Sequence, residues 1–337
     1  MILAHFGPGV YERVGLQPPL IDILLLVGRF ATPTFIAVFG FSLAFAYFPA
    51  ATRNPRGTRD RLLRRSGTVL LAAVLVSIPA MSNTLSAGEA AGPVAFNLGL
   101  NIYGVLFFYF LAILVTALVI HHLARSSLAA PAVAGAVLIF VGTWLGHDSW
   151  PPGDEGLVEL LRLFLVSGQY ALLVNLGMAL LMAALGWHLR ELRQRGAQLG
   201  PVLLVIGLVL LLCGLSLGRL VGWRTLPELH SDFSAPPQLW FLIVICGVML
   251  LTMAFLDAVK LPFVSYFLEH TGRNPLTIYV AHTFVLPGVA VLRSAAPNIP
   301  EGIAIALPMA LFMGFWAIVL IRSGKHRGLS DQRSAKP

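Results

Sequence analysis

The chain has 337 residues, of which 57% are hydrophobic and 11% charged, with a formal net charge of +8. Soluble domains carry about 25% charged residues, so this chain has too few polar side chains to face water on all sides, and its mean hydropathy of +0.83 agrees. A soluble enzyme is excluded; the chain reads as an integral membrane protein, and its positive charge as loop charge that sets orientation rather than a nucleic-acid surface.

Long apolar stretches of helical length, without the short alternating segments of a barrel, select an all-α, polytopic helix bundle. The 32 glycines and 22 prolines are tolerated inside membrane helices. The opening, MILAHFGPGVYERVGLQPPL, carries no signal-peptide n-region or cleavage site. Met1–His5 reads as the last turn of a truncated first helix, which leads us to expect about 15–20 further residues ahead of Met1. Nine complete spans are then expected: Leu20–Phe48, Ser66–Met81, Leu98–Leu123, Leu128–Gly146, Tyr170–Leu189, Leu199–Val221, Leu239–Leu261, Leu276–Leu292 and Gly302–Ile321. Residues 1–321 make a single membrane domain, and 322–337 a basic, unstructured tail.

Orientation follows from the arginines. The loop PAATRNPRGTRDRLLRR holds Arg53, Arg56, Arg59, Arg61, Arg64 and Arg65 against one acid, Asp60, which places it in the cytoplasm. Alternation then puts Arg190, Arg193, Arg195, Lys260, Arg273 and the C-terminus inside, and the acidic loop HDSWPPGDEGLVE outside.

In chain order, the polar residues that carry chemistry begin with His5, near the outer face and close to Asp22 at the start of the next span. A histidine beside a carboxylate is the composition of a general base and its orienting partner, though a lone histidine there is also an ordinary interfacial residue. Arg29 stands seven residues after Asp22, two turns on and so on the same face. An arginine inside a span is costly and faces the bundle interior or a water-filled cavity; it is either one half of a structural pair with Asp22 or part of an outward-opening pocket. Pro33, in the Thr32-Pro33-Thr34 sequence that follows, frees a backbone carbonyl and kinks the helix.

Arg61 and Arg64, three apart, share a helical face. They serve as topology signal, and paired guanidiniums also suit phosphates. Asn101, Tyr103, Asn175 and Trp187 read as packing or belt residues, and His121, His122 and His188 as interfacial ones. Cys213 and Cys246 lie in separate apolar stretches without CxxC spacing, and no HExxH, paired carboxylate or phosphate-binding loop is present, so no metal or nucleotide-hydrolysis site is expected.

The stretch TGRNPLTIYVAH closes the series. Asn274 is a favoured N-cap and Pro275 suits the first helical position, so a helix starts here with Arg273 beside its free N–H groups, an anion site. His282 lies nine residues on, about 13 Å along the axis. The alternatives are an interfacial arginine that binds lipid headgroups and a histidine hydrogen-bonded to a neighbouring helix.

Four pieces in this order, MILAHF, GRFATPTFIAVFGFSLAFAY, RLLRR and GRNPLTIYVAH, resemble the transmembrane acyltransferase superfamily: the acyltransferase-3 family, the OpgC-type glucan-modifying proteins and the heparan-α-glucosaminide N-acetyltransferase relatives. In acyltransferase-3 proteins the first helix carries an arginine, ten residues, then a histidine taken as catalytic; His5 is similar to that histidine, and the arginine would lie before Met1. The R-x-x-R pair implicated in acyl-CoA handling resembles Arg61 and Arg64. The late helix resembles Arg273, Tyr279 and His282.

The resemblance implies a CoA-dependent O- or N-acyltransferase of the bacterial cytoplasmic membrane. It would move an acetyl or succinyl group from acyl-CoA to a hydroxyl or amine of an extracytoplasmic glycan or lipid-linked sugar. His5, Asp22, Arg29 and His282 would be its catalytic residues, and Arg61, Arg64 and Arg273 its donor-binding ones, with no metal. A transporter of small anions or lipid-linked sugars is the alternative, since a buried arginine and broken helices suit it too. A non-catalytic membrane scaffold is the third.

Overall fold

Helices are the only regular elements among the described residues of the computed structural model, which are 19–86, 104–127, 129–146, 157–168, 170–224, 238–259 and 262–334. Hydrocarbon offers no partner to a free backbone N–H or C=O, so a chain of this composition must pair those groups within each segment. The elements are α1 Pro19–Ser42, a π-helical segment Leu43–Tyr47, α2 Phe48–Arg53, α3 Pro55–Ser86, α4 Val105–Arg125, α5 Ala129–Trp144, α6 Leu157–Arg162, a second π segment Leu163–Ser167, α7 Leu172–Gln194, α8 Leu199–Leu220, α9 Leu239–Ala258, α10 Pro262–Arg273, α11 Pro275–Thr283, α12 Val285–Ala295 and α13 Glu301–Ser334.

Among the described residues, seven helical stretches are long and apolar enough to cross a membrane: Phe30–Arg53, Val105–Arg125, Leu163–Gln194, Leu199–Leu220, Leu239–Ala258, Pro275–Ala295 and Gly302–Arg322. They correspond to seven of the nine expected spans, and the chain is a polytopic all-α bundle. The expected span Ser66–Met81 lies within the much longer α3. The buried stripe of α3 runs Thr58, Leu62, Ser66, Val69, Ala73, Ser77, so hydroxyls dilute its apolar face while arginines fill the other. The expected span Leu128–Gly146 corresponds to α5, only 16 residues long, or about 24 Å at 1.5 Å per residue against a hydrocarbon core of about 30 Å. The last helix continues through the basic residues after Arg322 to Ser334.

Leu25–Ala258 form one compact unit, and Val259 onward, with the residues just before Leu25, form another. In the first unit helices pack as neighbours in sequence or one apart: α3 on α4, α5 on α7, and α8 on α9. Small residues let these backbones close up, as membrane helices require when lipid tails are as apolar as leucine. At Gly40 of α1 a Cβ would sit 1.9 Å from the carbonyl oxygen of Ala179 in α7, and at Gly247 of α9 one would sit 2.6 Å from the backbone nitrogen of Leu211 in α8. Hydrogen bonds add to the packing: the Ser66 hydroxyl, 1% exposed, donates to the Phe110 carbonyl across the α3–α4 contact at 3.0 Å. The π segment at Leu43–Tyr47 rests on α7, whereas α2 rests on α4.

The second unit has its own small core, in which Ile278 of α11 and Val285 of α12 meet Phe312 of α13, with Ala281, Met309 and Trp316 around them. The expected single span Leu276–Leu292 is broken at Phe284 into α11 and α12. Pro287 explains the break, since its ring cannot sit beside the Thr283 carbonyl four residues back. The Thr283 hydroxyl instead donates to the Val280 carbonyl at 2.7 Å, and the Phe284 N–H turns to Ala281 at 3.4 Å.

Candidate functional site

Two short turns, one in each unit, adjoin the helices that carry Arg61, Arg64, Arg273 and His282. In the first, α2 ends at Arg53 and Asn54 leaves helical geometry at φ −142°, ψ 84°. Pro55 then begins α3, and the Asn54 side-chain oxygen accepts the Gly57 N–H at 2.9 Å. This is an N-cap, satisfying one of the donors a helix start leaves free.

Beyond the cap, Thr58, Leu62 and Ser66 are buried and Arg59, Arg61, Arg64 and Arg65 are exposed. Arg59 Nε lies 3.6 Å from Asp60, Arg65 donates to the Tyr47 hydroxyl at 2.8 Å, and Arg64 Nε donates to the Asp60 backbone carbonyl at 3.4 Å. Among the described residues no carboxylate pairs with Arg61 or Arg64. The expected shared face of these two arginines is present. Guanidiniums crowded beside one acid create a positive field, and each offers a planar fork for phosphate.

In the second turn, α10 ends at Arg273, Asn274 sits at φ −123°, ψ 39°, and Pro275 begins α11, as the sequence led us to expect. The Asn274 side chain does not cap α11. Its Nδ2 donates backwards to the His270 carbonyl at 3.2 Å, while its N–H reaches the Thr271 carbonyl at 3.1 Å. Trp316 Nε1 donates to the Thr271 hydroxyl at 3.3 Å and ties the turn to α13.

At the far end of α11, His282 is 1% exposed and its Nδ1 donates to the Tyr279 carbonyl. A carbonyl only accepts, so Nδ1 carries a proton, and in the neutral ring Nε2 then carries the lone pair. The Tyr279 and Phe312 rings flank it, with centroids 4.9 and 6.4 Å away. Arg273 and His282 thus stand at opposite ends of one short helix.

The sequence reading missed His270. It is 1% exposed, and its Nδ1 donates to the Tyr266 carbonyl at 2.8 Å. Its ring stacks on Tyr266 with centroids 4.0 Å apart and planes at 28°. The signal was its helical spacing, four residues after Tyr266 and three before Arg273, hidden by the polar look of LEHTGR.

Asp22 and Arg29 both lie on α1, seven positions apart, with Pro33 inside the same helix. His5 lies outside the described residues, as do Asn101, Tyr103, Lys260 and the loop around Asp154. Asn175 is buried and its Nδ2 donates to the Ala171 carbonyl at 2.9 Å, and Trp187 Nε1 donates to Glu191 at 2.9 Å. On α6, Arg162 grips Glu159 through two bonds of 2.7 Å, and that bond raises the arginine's pKa above its ordinary value.

The family model described as an acyltransferase domain, of the acyltransferase-3 type, matches residues 1–322. No curated protein and no solved structure matches the chain. A match over nearly the whole chain, on an all-helical bundle with seven apolar membrane-length helices, means that the chain belongs to the acyltransferase-3 family and is an integral membrane acyltransferase.

Proposed function

We propose that the protein takes an acyl group, acetyl or succinyl, from acyl-CoA and passes it to a hydroxyl or amine of a glycan or lipid-linked sugar outside the cytoplasm. The observation that carries this reading is the exposed pair Arg61 and Arg64, which no described carboxylate neutralises. Such a pair suits an anionic, phosphate-bearing donor, and its arginine-rich turn belongs on the cytoplasmic side by the positive-inside rule. Arg273, ahead of α11, is assigned separately to donor phosphates. The basic C-terminus shares the cytoplasmic side, and the membrane is the bacterial inner one.

The chemistry assigned to the remaining residues is a direct acyl transfer, and a relay through an acyl-histidine is equally compatible with them. His5 takes the proton of the acceptor hydroxyl or amine, and Asp22 orients that histidine. The acceptor atom attacks the thioester carbonyl, Arg29 stabilises the developing oxyanion, and the carbon–sulfur bond breaks. The departing CoA thiolate takes up the proton held by the histidine. His282 lines the acceptor's path.

Membranes carrying the chain are incubated with radiolabelled acetyl-CoA, and the glycan and lipid-linked sugar fractions are counted. Label should enter one of these fractions, and Arg61→Ala with Arg64→Ala should raise the apparent KM for acetyl-CoA about tenfold or more. His5→Ala should lower turnover about 10²–10⁴-fold while the protein still accumulates. Sealed vesicles that take up an anion or lipid-linked sugar without any acyl transfer would overturn the reading in favour of transport.

A further inference from the structure

The second unit buries a titratable ring that the reaction above leaves unused. His270 is 1% exposed, and Nδ1 must carry the proton because it donates to the Tyr266 carbonyl. In the neutral ring Nε2 is then an acceptor with its lone pair buried, and no described residue donates to it. Buried polar atoms are normally satisfied, and one that is not calls for a reason. The ring has little freedom to seek a partner, since Tyr266 stacks on one face and the Nδ1 bond fixes its rotation.

Its position supplies the reason. His270 stands three residues before Arg273 in the last turn of α10, on the same side of the helix by register. The His270 carbonyl accepts from Asn274, the residue that ends α10 and precedes α11. The turn that follows Arg273 is thus hydrogen-bonded to the backbone of the histidine.

We infer that His270 is a donor-binding residue, its Nε2 accepting a hydrogen bond from an N–H or O–H group of the acyl donor's pantetheine–nucleotide arm. This rests on acyl-CoA being the donor. The amide N–H groups of pantetheine are the best-matched chemistry, because they are neutral donors and a buried neutral imidazole accepts them without having to ionise. A neutral ring excludes phosphate as its partner, since a deprotonated oxygen and an imidazole lone pair repel. Arg273 holds the charged end of the molecule, and His270 reads a neutral part of it.

The test is equilibrium binding of acetyl-CoA and of S-acetylpantetheine to the detergent-solubilised full chain. His270→Phe keeps the ring's shape and removes the acceptor. His270→Asn keeps a donor for the Tyr266 carbonyl and also removes it. His270→Gln places an amide oxygen near the position of Nε2.

The Phe and Asn variants should bind both ligands about three- to tenfold more weakly, and Gln should stay within about threefold of the parent. Arg273→Ala should weaken acetyl-CoA alone, because S-acetylpantetheine has no phosphate. A Phe or Asn variant that binds both ligands as the parent does would overturn the inference. So would a Gln variant as weak as Phe, or failure of both Phe and Asn to accumulate in the membrane, which would make His270 a packing residue. A parent chain that binds neither ligand would overturn the acyl-CoA reading itself and this inference with it.

Discussion

The tripeptide Arg-Asn-Pro occurs in both units, at Arg53–Pro55 and at Arg273–Pro275, and does opposite things. Each time a helix ends on the arginine and another begins on the proline. At the first, the asparagine oxygen reaches forward to the Gly57 N–H and caps the helix that follows. At the second, the asparagine nitrogen reaches back to the His270 carbonyl and closes the helix that precedes. The backbone accounts for the difference, ψ being 84° at Asn54 and 39° at Asn274. The surroundings differ too, with exposed arginines at the first and the buried His270 ring at the second. One amide offers both a donor and an acceptor, so identical residues specify the break without specifying which helix gains.

The largest expected contrast is functional. Arg273→Ala should raise the apparent KM for acetyl-CoA about 10–150-fold, with Arg273→Lys recovering only part because an ammonium cannot reproduce the fork. Arg53→Ala should change it by less than about twofold. Initial rates against acetyl-CoA check both, and equal effects at the two turns would erase the functional half of the contrast.

Next in size is the exchange of Asn for Asp. Asn54→Asp keeps the acceptor and puts a negative charge at a helix start, so it should be neutral or stabilising by about 0.5 kcal/mol. Asn274→Asp removes the donor to the His270 carbonyl and should cost about 1 kcal/mol. Thermal midpoints in detergent read both, and the same sign at both sites would mean that Asn274 can turn forward to cap α11.

Trp316→Phe, which removes the bond to Thr271, should cost about 0.5–1 kcal/mol by the same measurement. Gly57→Ala should change stability by less than about 0.5 kcal/mol. Its gain in helix propensity is offset because the new Cβ would stand 2.6 Å from the Asn54 side-chain nitrogen. A loss above about 1 kcal/mol would mean that the Asn54 cap cannot yield.

The fold class was legible because composition decides the solvent, and the solvent decides the backbone pairing. The helix start at Pro275 was legible as an Asn-Pro pair, and the shared face of Arg61 and Arg64 as a spacing of three, whereas the start at Pro55 fell inside a stretch that read as a loop. Three other things were not. The break at Phe284 comes from Pro287, three residues downstream, whose ring excludes the Thr283 carbonyl four residues back. The length of α3 was hidden because its buried stripe includes Thr58, Ser66 and Ser77, which hydropathy counts as polar. His270 was hidden because the polar look of LEHTGR masked its four-residue spacing from Tyr266, and burial is a property of the neighbours.

The π turn at Leu43–Tyr47 has a consequence for how the first described span can change. A π turn holds about one residue more than an α turn and throws the residues after it about 100° out of phase with those before. The span is therefore two half-spans spliced one residue apart, an insertion the fold has already absorbed. The splice itself answers to α7, and α2 after it to α4. Losing one residue there would leave every apolar side chain in place along the axis while turning the arginine-bearing end to a new bearing. In this span, length and heading are inherited separately.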